Sequence, residues 1–196
     1  MQYNTQMEAA KKGILTEQMH IVAEKEHMPV ELLAERVAAG SIAIPANINH
    51  AALSPEGIGE GLRTKINVNL GVSGDCADYE QEFDKVKLSI ALQAEAIMDL
   101  SNFGKTNAFR ERLIEYAPAM IGTVPIYDAI GYFEKELASI TAEDFLEVVE
   151  SHAKQGVDFM TIHAGITKNT IAKFKESGRL TNIVSRGAPC SLRGSN

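Results

Sequence analysis

Cysteine is scarce in this 196-residue chain, apolar runs are short, and positive charge is thinly spread. Each shortage excludes something. The two cysteines, Cys76 and Cys190, form no C-x-x-C or Cys/His spacing, so neither a disulfide framework nor a zinc finger is expected, and both read as ordinary thiols. No apolar run approaches the roughly 20 residues that cross a bilayer, which excludes a helical membrane span. Met1–Thr5 shows no basic stretch leading into an apolar one, so a secretory leader is not expected and a cytoplasmic location is. Lysines and arginines are outnumbered, 19 against 26 acids, for a net charge of -7, and Lys65, Lys85, Lys87, Lys105, Arg110 and Arg112 lie scattered among acids. That pattern repels nucleic acid and excludes it as a partner.

What the chain has is a recurrent alternation. The first 63 residues read as a small helical region with a loop: a helix capped by Thr16 with Met19, Val22 and Ala23 on one face, then a second from Pro29 to Gly40 burying Leu32, Leu33 and Val37. His20 and His27 read as solvated. Ile42–Pro45 reads as a short strand. Ala46–His50 follows as a polar loop whose amides either close their own turns or meet a ligand, the first being the simpler reading. Gly57–Gly61 is glycine-rich but lacks the lysine spacing of a phosphate loop.

From residue 64 to 187 an apolar strand, a small polar turn and an amphipathic helix repeat, the signature of βα units. The strands read as Lys65–Gly71, Ala96–Ser101, Met120–Tyr127, Asp158–Gly165 and Leu180–Gly187. Between them, Tyr79, Phe83, Val86 and Ile90 share one helical face. Thr106 reads as the cap of a helix burying Phe109 and Leu113. Thr141 to Asp144 opens a helix carrying Phe145, Val148, Val149 and His152, the histidine packing rather than reacting. A last helix, with Ile171 and Phe174, stops at Gly178. The run Asp158–Gly165 is apolar enough to predict a strand covered on both faces, delivering His163 at its carboxyl end. Strands joined by single helices are parallel, so five such units form an open doubly wound sheet or part of a barrel. Residues 188–196 supply no further helix.

Polar side chains gather at the carboxyl ends of these strands: Asn67, Asn69, Asp99, Tyr127, His163 and Ser185-Arg186-Gly187. Amide donors, a phenol, an imidazole and a guanidinium beside a glycine suit a small polar ligand bearing a phosphate.

At these positions the chain resembles the phosphomethylpyrimidine synthase family of thiamine biosynthesis. Six stretches carry the resemblance in order: Ile44–His50, Lys65–Asn69, Met98–Ser101, Gly122–Tyr127, Thr161–Gly165 and Ile183–Gly187. It implies a (β/α)8 barrel of TIM type, here about its first five βα units. It also implies a radical S-adenosylmethionine lyase reaction that turns aminoimidazole ribotide into hydroxymethylpyrimidine phosphate with loss of formate and carbon monoxide. Substrate contacts carried over are Asn69, Met98, Tyr127, His163, Ser185, Arg186 and Gly187. The family's cofactors are S-adenosylmethionine, a [4Fe-4S] cluster and zinc. Its cluster cysteines and zinc histidines have no counterpart here, so no metal ligand is expected in this chain. Ala188-Pro189 stands where the family continues with a second glycine, which makes a truncated or frame-shifted product, inactive alone, the expectation. A related hydroxybenzimidazole synthase, acting on the same ribotide, is the enzymatic alternative. A non-catalytic half-barrel that dimerises or binds a partner through open strand edges is the other, and a homo-oligomer is the expected assembly.

Overall fold

The computed structural model describes residues 3–103, 106–133, 139–165, 167–176 and 178. The fifth expected strand, Leu180–Gly187, lies outside these residues, and with it Ser185, Arg186 and Gly187.

Three short helices open the chain: α1 (Gln6–Lys11), α2 (Glu17–Lys25) and α3 (Val30–Ala39). Thr16 caps α2 as expected, its hydroxyl accepting the Met19 N–H at 3.2 Å. Met19, Val22 and Ala23 are buried, and they pack with Leu33, Val37, Ala9, Ile42 and Ile44 into one apolar cluster. Leu32, expected to be buried, is 37% exposed because it stands one residue, about 100° of helix, away from Leu33. Strand β1 (Ile42–Ala43) pairs antiparallel with β2 (Ile58–Gly59). This pairing explains the glycine-rich stretch. Gly59 has φ +150, and a Cβ there would run into the Ser41 carbonyl, so the backbone closes on its neighbour rather than on a phosphate.

The second layer is a parallel sheet of four strands in the order β3 (Asn67–Leu70), β4 (Ala96–Asp99), β5 (Met120–Thr123), β6 (Phe159–Met160). The helices between them are α4 (Tyr79–Ala91), α5 (Thr106–Tyr116), α6 (Pro125–Phe133) and α7 (Ala142–Gln155), with α8 (Lys168–Glu176) after β6. The protein is therefore a mixed α/β molecule. Leu70, Ile97 and Ile121 from the strands pack against Phe83, Val86, Phe109, Leu113 and Ile114 from α4 and α5. Each of these large side chains contributes about 1.5–3 kcal/mol by leaving water. The Ile171 and Phe174 side chains fall outside the described set.

Two strand expectations need correction. Met120–Tyr127 is not one strand: β5 stops at Thr123, and Pro125 opens α6, where its missing N–H costs nothing and its fixed φ suits the first turn. Tyr127 is thus helical. Nor is Asp158–Gly165 a strand buried on both faces. Only Phe159 and Met160 pair as a strand, Thr161 adds one further bond to the Thr123 carbonyl at 2.9 Å, and Ile162 is 48% exposed. Among the described residues β6 is an edge strand of the sheet, as β3 is on the other side.

The helical region and the sheet are tied by the loop after β1. Asn47 donates its backbone N–H to Asp158 Oδ1 at 2.9 Å and its amide to the Ala153 and Val157 carbonyls, while the Asn49 amide reaches the Lys154 carbonyl. Asn47 Oδ1 also accepts the Asn49 N–H, the local turn that was expected. His50, buried, places Nδ1 2.7 Å from Asp158 Oδ2 and Nε2 2.8 Å from the Ala117 carbonyl.

Candidate functional site

Alternation along the strands divides the expected site residues between two faces. Leu70, Ile97 and Ile121 point into the helix-side core, so Asn69, Met98 and Gly122, which are mutual register partners, stand on the opposite face of the sheet. Phe159 pairs with Gly122 and completes the row. Asn67 shares this face, its amide donating to Asn69 Oδ1 at 2.8 Å. Asn69 is exposed and Met98 half-buried.

Tyr127 and His163 come together although 36 residues separate them. Their ring centroids are 6.2 Å apart with planes inclined by 37°. Tyr127 reaches this position from the first turn of α6, where its N–H is held by the Val124 carbonyl. His163 follows β6 by three residues. The structure therefore brings Asn69 and Met98 onto one face and Tyr127 beside His163. Ser185, Arg186 and Gly187 lie outside the described residues.

Asp99 does not join this set. Its register partners are Leu70 and Thr123, on the helix side, where it is buried with Oδ1 accepting the Ser101 N–H at 2.9 Å and Oδ2 3.8 Å from Arg110 Nε. Burial pushes its carboxyl up, with Ser101 and Arg110 opposing. The run Ala96–Ser101 is apolar at both parities, so the sequence did not show which face Asp99 takes.

Beneath Tyr127 lies a polar network that sequence reasoning missed. Asp128 Oδ1 accepts the Thr106 hydroxyl at 2.6 Å, and Oδ2 accepts Arg110 Nη2 at 2.9 Å and His152 Nε2 at 3.0 Å. His152 Nδ1 faces the Thr123 hydroxyl at 2.9 Å, and Arg110 Nη1 also reaches Gln155 Oε1 at 2.6 Å. Arg110 is 1% exposed. Burial alone would raise the Asp128 carboxyl. The His152 hydrogen bond, the Arg110 charge and the Thr106 hydroxyl overcome it and hold the group at about 2. Thr106 is thus a network member rather than the cap expected. The signal in the sequence was Thr106 and Arg110, four apart on the stripe of α5 that also carries Phe109 and Leu113. His152 packs, as read, but through both ring nitrogens. The network pins the first turn of α6 from below, and with it the residue before Asp128, which is Tyr127.

A cavity of about 470 Å³ lies elsewhere, between α1, the β1 strand and the loop after it, lined by Gln6, Gln18, Ile44, Asn47 and Asp158 among others, and none of the expected substrate contacts among the described residues borders it. Among the described residues no group of three His, Cys, Asp or Glu side chains is placed to hold a metal ion. Two cysteines in the whole chain are one short of the three thiolates that bind a radical-generating [4Fe-4S] cluster, and Cys76 Sγ faces Gln81 Oε1. The chain's own residues therefore do not fit that group. No helix among the described residues is long and apolar enough to cross a membrane.

Comparison with known proteins gives the same direction over nearly the whole chain. The family model described as the radical SAM ThiC family matches residues 5–193. Phosphomethylpyrimidine synthase of Alkaliphilus metalliredigens is 65% identical over 187 residues, covering 95% of this chain and 43% of that protein. The protein of the same name from Clostridium tetani is 63% identical, with 95% and 41% covered, and that from Clostridium perfringens 60%, with 95% and 43%. The chain spans less than half the length of these curated relatives. With the model matched from residue 5 to residue 193, the chain belongs to the radical SAM ThiC family.

Proposed function

We propose that this chain carries part of the substrate site of a phosphomethylpyrimidine synthase, on the first units of a (β/α)8 barrel preceded by the helical region of residues 1–63. The observation that carries the reading is the meeting of Tyr127 and His163, 6.2 Å apart, at the carboxyl end of a parallel sheet whose face opposite the helix-side core holds Asn69 and Met98. Ligands of parallel α/β folds bind at that end of the strands. The reaction of the whole protein converts aminoimidazole ribotide into hydroxymethylpyrimidine phosphate by radical S-adenosylmethionine chemistry. S-adenosylmethionine, the cluster and zinc serve that reaction, and no step through them is assigned to residues of this chain.

The roles follow from chemistry. Asn69 offers both an amide donor and a carbonyl acceptor to ring substituents or sugar hydroxyls. Tyr127 and His163 supply a phenol and an imidazole that hydrogen-bond the ligand's polar groups, and Met98 supplies adaptable apolar contact. Ser185-Arg186-Gly187 would take the phosphate, by analogy with guanidinium recognition elsewhere. The names of the relatives favour the pyrimidine product over the benzimidazole one.

Calorimetric titration with aminoimidazole ribotide tests the reading, with ribose 5-phosphate as the comparison. Tighter binding of the ribotide, weakened by His163→Ala, is expected. Equal affinity for the two ligands would overturn it.

A further inference from the structure

The row that begins with Asn69 and Met98 continues through Gly122 to Phe159, and its last two members form a device of their own. A Cβ on Gly122 would collide with Cζ, Cε1 and Cε2 of the Phe159 ring. The far edge of the ring therefore lies over the β5 backbone, in space that exists because residue 122 has no side chain. The ring is on the face opposite the helix-side core, since the next residue, Met160, packs against that core. It is half-buried, not enclosed. Thr161, two residues on, is held in the ladder by the Thr123 carbonyl, and His163, two further, lies against Tyr127.

Phe159 reaches from β6 over the β5 backbone at Gly122, in the cross-strand row that continues to Met98 and Asn69, on the face where the candidate substrate contacts stand. We propose that Phe159 is a specificity-determining residue, its ring admitted over the strand by Gly122 and serving as the apolar platform for a flat nitrogen heterocycle attached to a sugar phosphate. The inference deepens the ribotide reading above and rests on it. A platform of this kind reads the heterocycle alone, because a sugar phosphate has no π-face to stack.

The experiment compares aminoimidazole ribotide with ribose 5-phosphate in calorimetric titrations of the unsubstituted chain, Phe159→Leu and Phe159→Tyr. Leucine keeps apolar volume and removes the ring; tyrosine keeps the ring. Stacking of bases on aromatic side chains leads to an expected loss of about tenfold in ribotide affinity for Phe159→Leu, with ribose 5-phosphate unaffected and the ribotide restored by Phe159→Tyr. Ribotide affinity unchanged in Phe159→Leu, or an equal loss for both ligands, would overturn the proposal. A second readout needs no substitution: the Phe159 ring resonances in NMR spectra should shift on adding ribotide and stay in place on adding ribose 5-phosphate, and resonances that ignore both ligands would overturn it as well. Equal affinities already in the unsubstituted chain would mark failure of the ribotide reading itself, and the platform would fall with it.

Discussion

At the scale of single residues, the most consequential contact is the buried pair of His50 and Asp158. Nε2 faces a carbonyl and Nδ1 a carboxylate, so both ring nitrogens meet acceptors and the imidazole is best satisfied when it carries both protons. Burial pulls its proton affinity down, but the Asp158 hydrogen bond and charge, with the Ala117 carbonyl, outweigh that and hold it above the ordinary 6.5. A raised folded-state value means that the contribution to stability is complete below pH 6.5, where the unfolded chain is protonated too. It fades as pH rises through the folded-state value. Urea unfolding between pH 6 and 9 is expected to show this alkaline decline, and His50→Gln is expected to remove it. A His50→Gln chain with the same alkaline slope would locate the titration elsewhere. The sequence did show His50 in a polar loop and Asp158 at the head of an apolar run. Their meeting was not legible, because 108 residues separate them and no periodicity spans that distance.

At the scale of elements, α7 was the most readable. Thr141 accepts the Asp144 N–H at 3.1 Å and Asp144 accepts the Thr141 N–H at 3.0 Å, the capping box expected from four consecutive residues. Thr141→Ala is expected to destabilise the chain by about 1 kcal/mol in urea unfolding, with faster amide exchange confined to the first turn of α7. Its last turn is held separately, by His152 against Thr123 and Asp128. Loss of protection there in the same variant would mean that α7 melts as one unit. The helix α6 was not legible for the opposite reason. Met120–Tyr127 is apolar with Pro125 inside it, and a proline ends a strand and begins a helix equally well. Which of the two it did depended on Asp128 finding Thr106, Arg110 and His152, a tertiary fact outside any local window. The buried arginine was the visible clue, and its scattered neighbours disguised it.

At the scale of the molecule, the order of the βα units was legible and their parallel pairing followed from it. Of the candidate contacts, the strand pattern placed Asn69 and the family resemblance added Met98, while the split between faces that sets Asp99 apart required the register. What joins the helical region to the sheet was hidden in amides expected to close their own turns. That junction has a kinetic consequence. The Asp158 carboxylate accepts from Ile121, 37 positions away, and gathers Asn47 and His50 across 111 and 108 positions. Contacts that close such long loops offset their chain entropy late in folding, after the local βα units have formed. Asp158→Asn is therefore expected to accelerate unfolding and leave the folding limb of the chevron in place, with a destabilisation of about 3–5 kcal/mol for a broken buried ion pair. A slowed folding limb with unaltered unfolding would place this carboxylate in the folding nucleus instead. On the expected outcome, one side chain sets how long the native molecule lasts and has almost no part in how quickly it is reached.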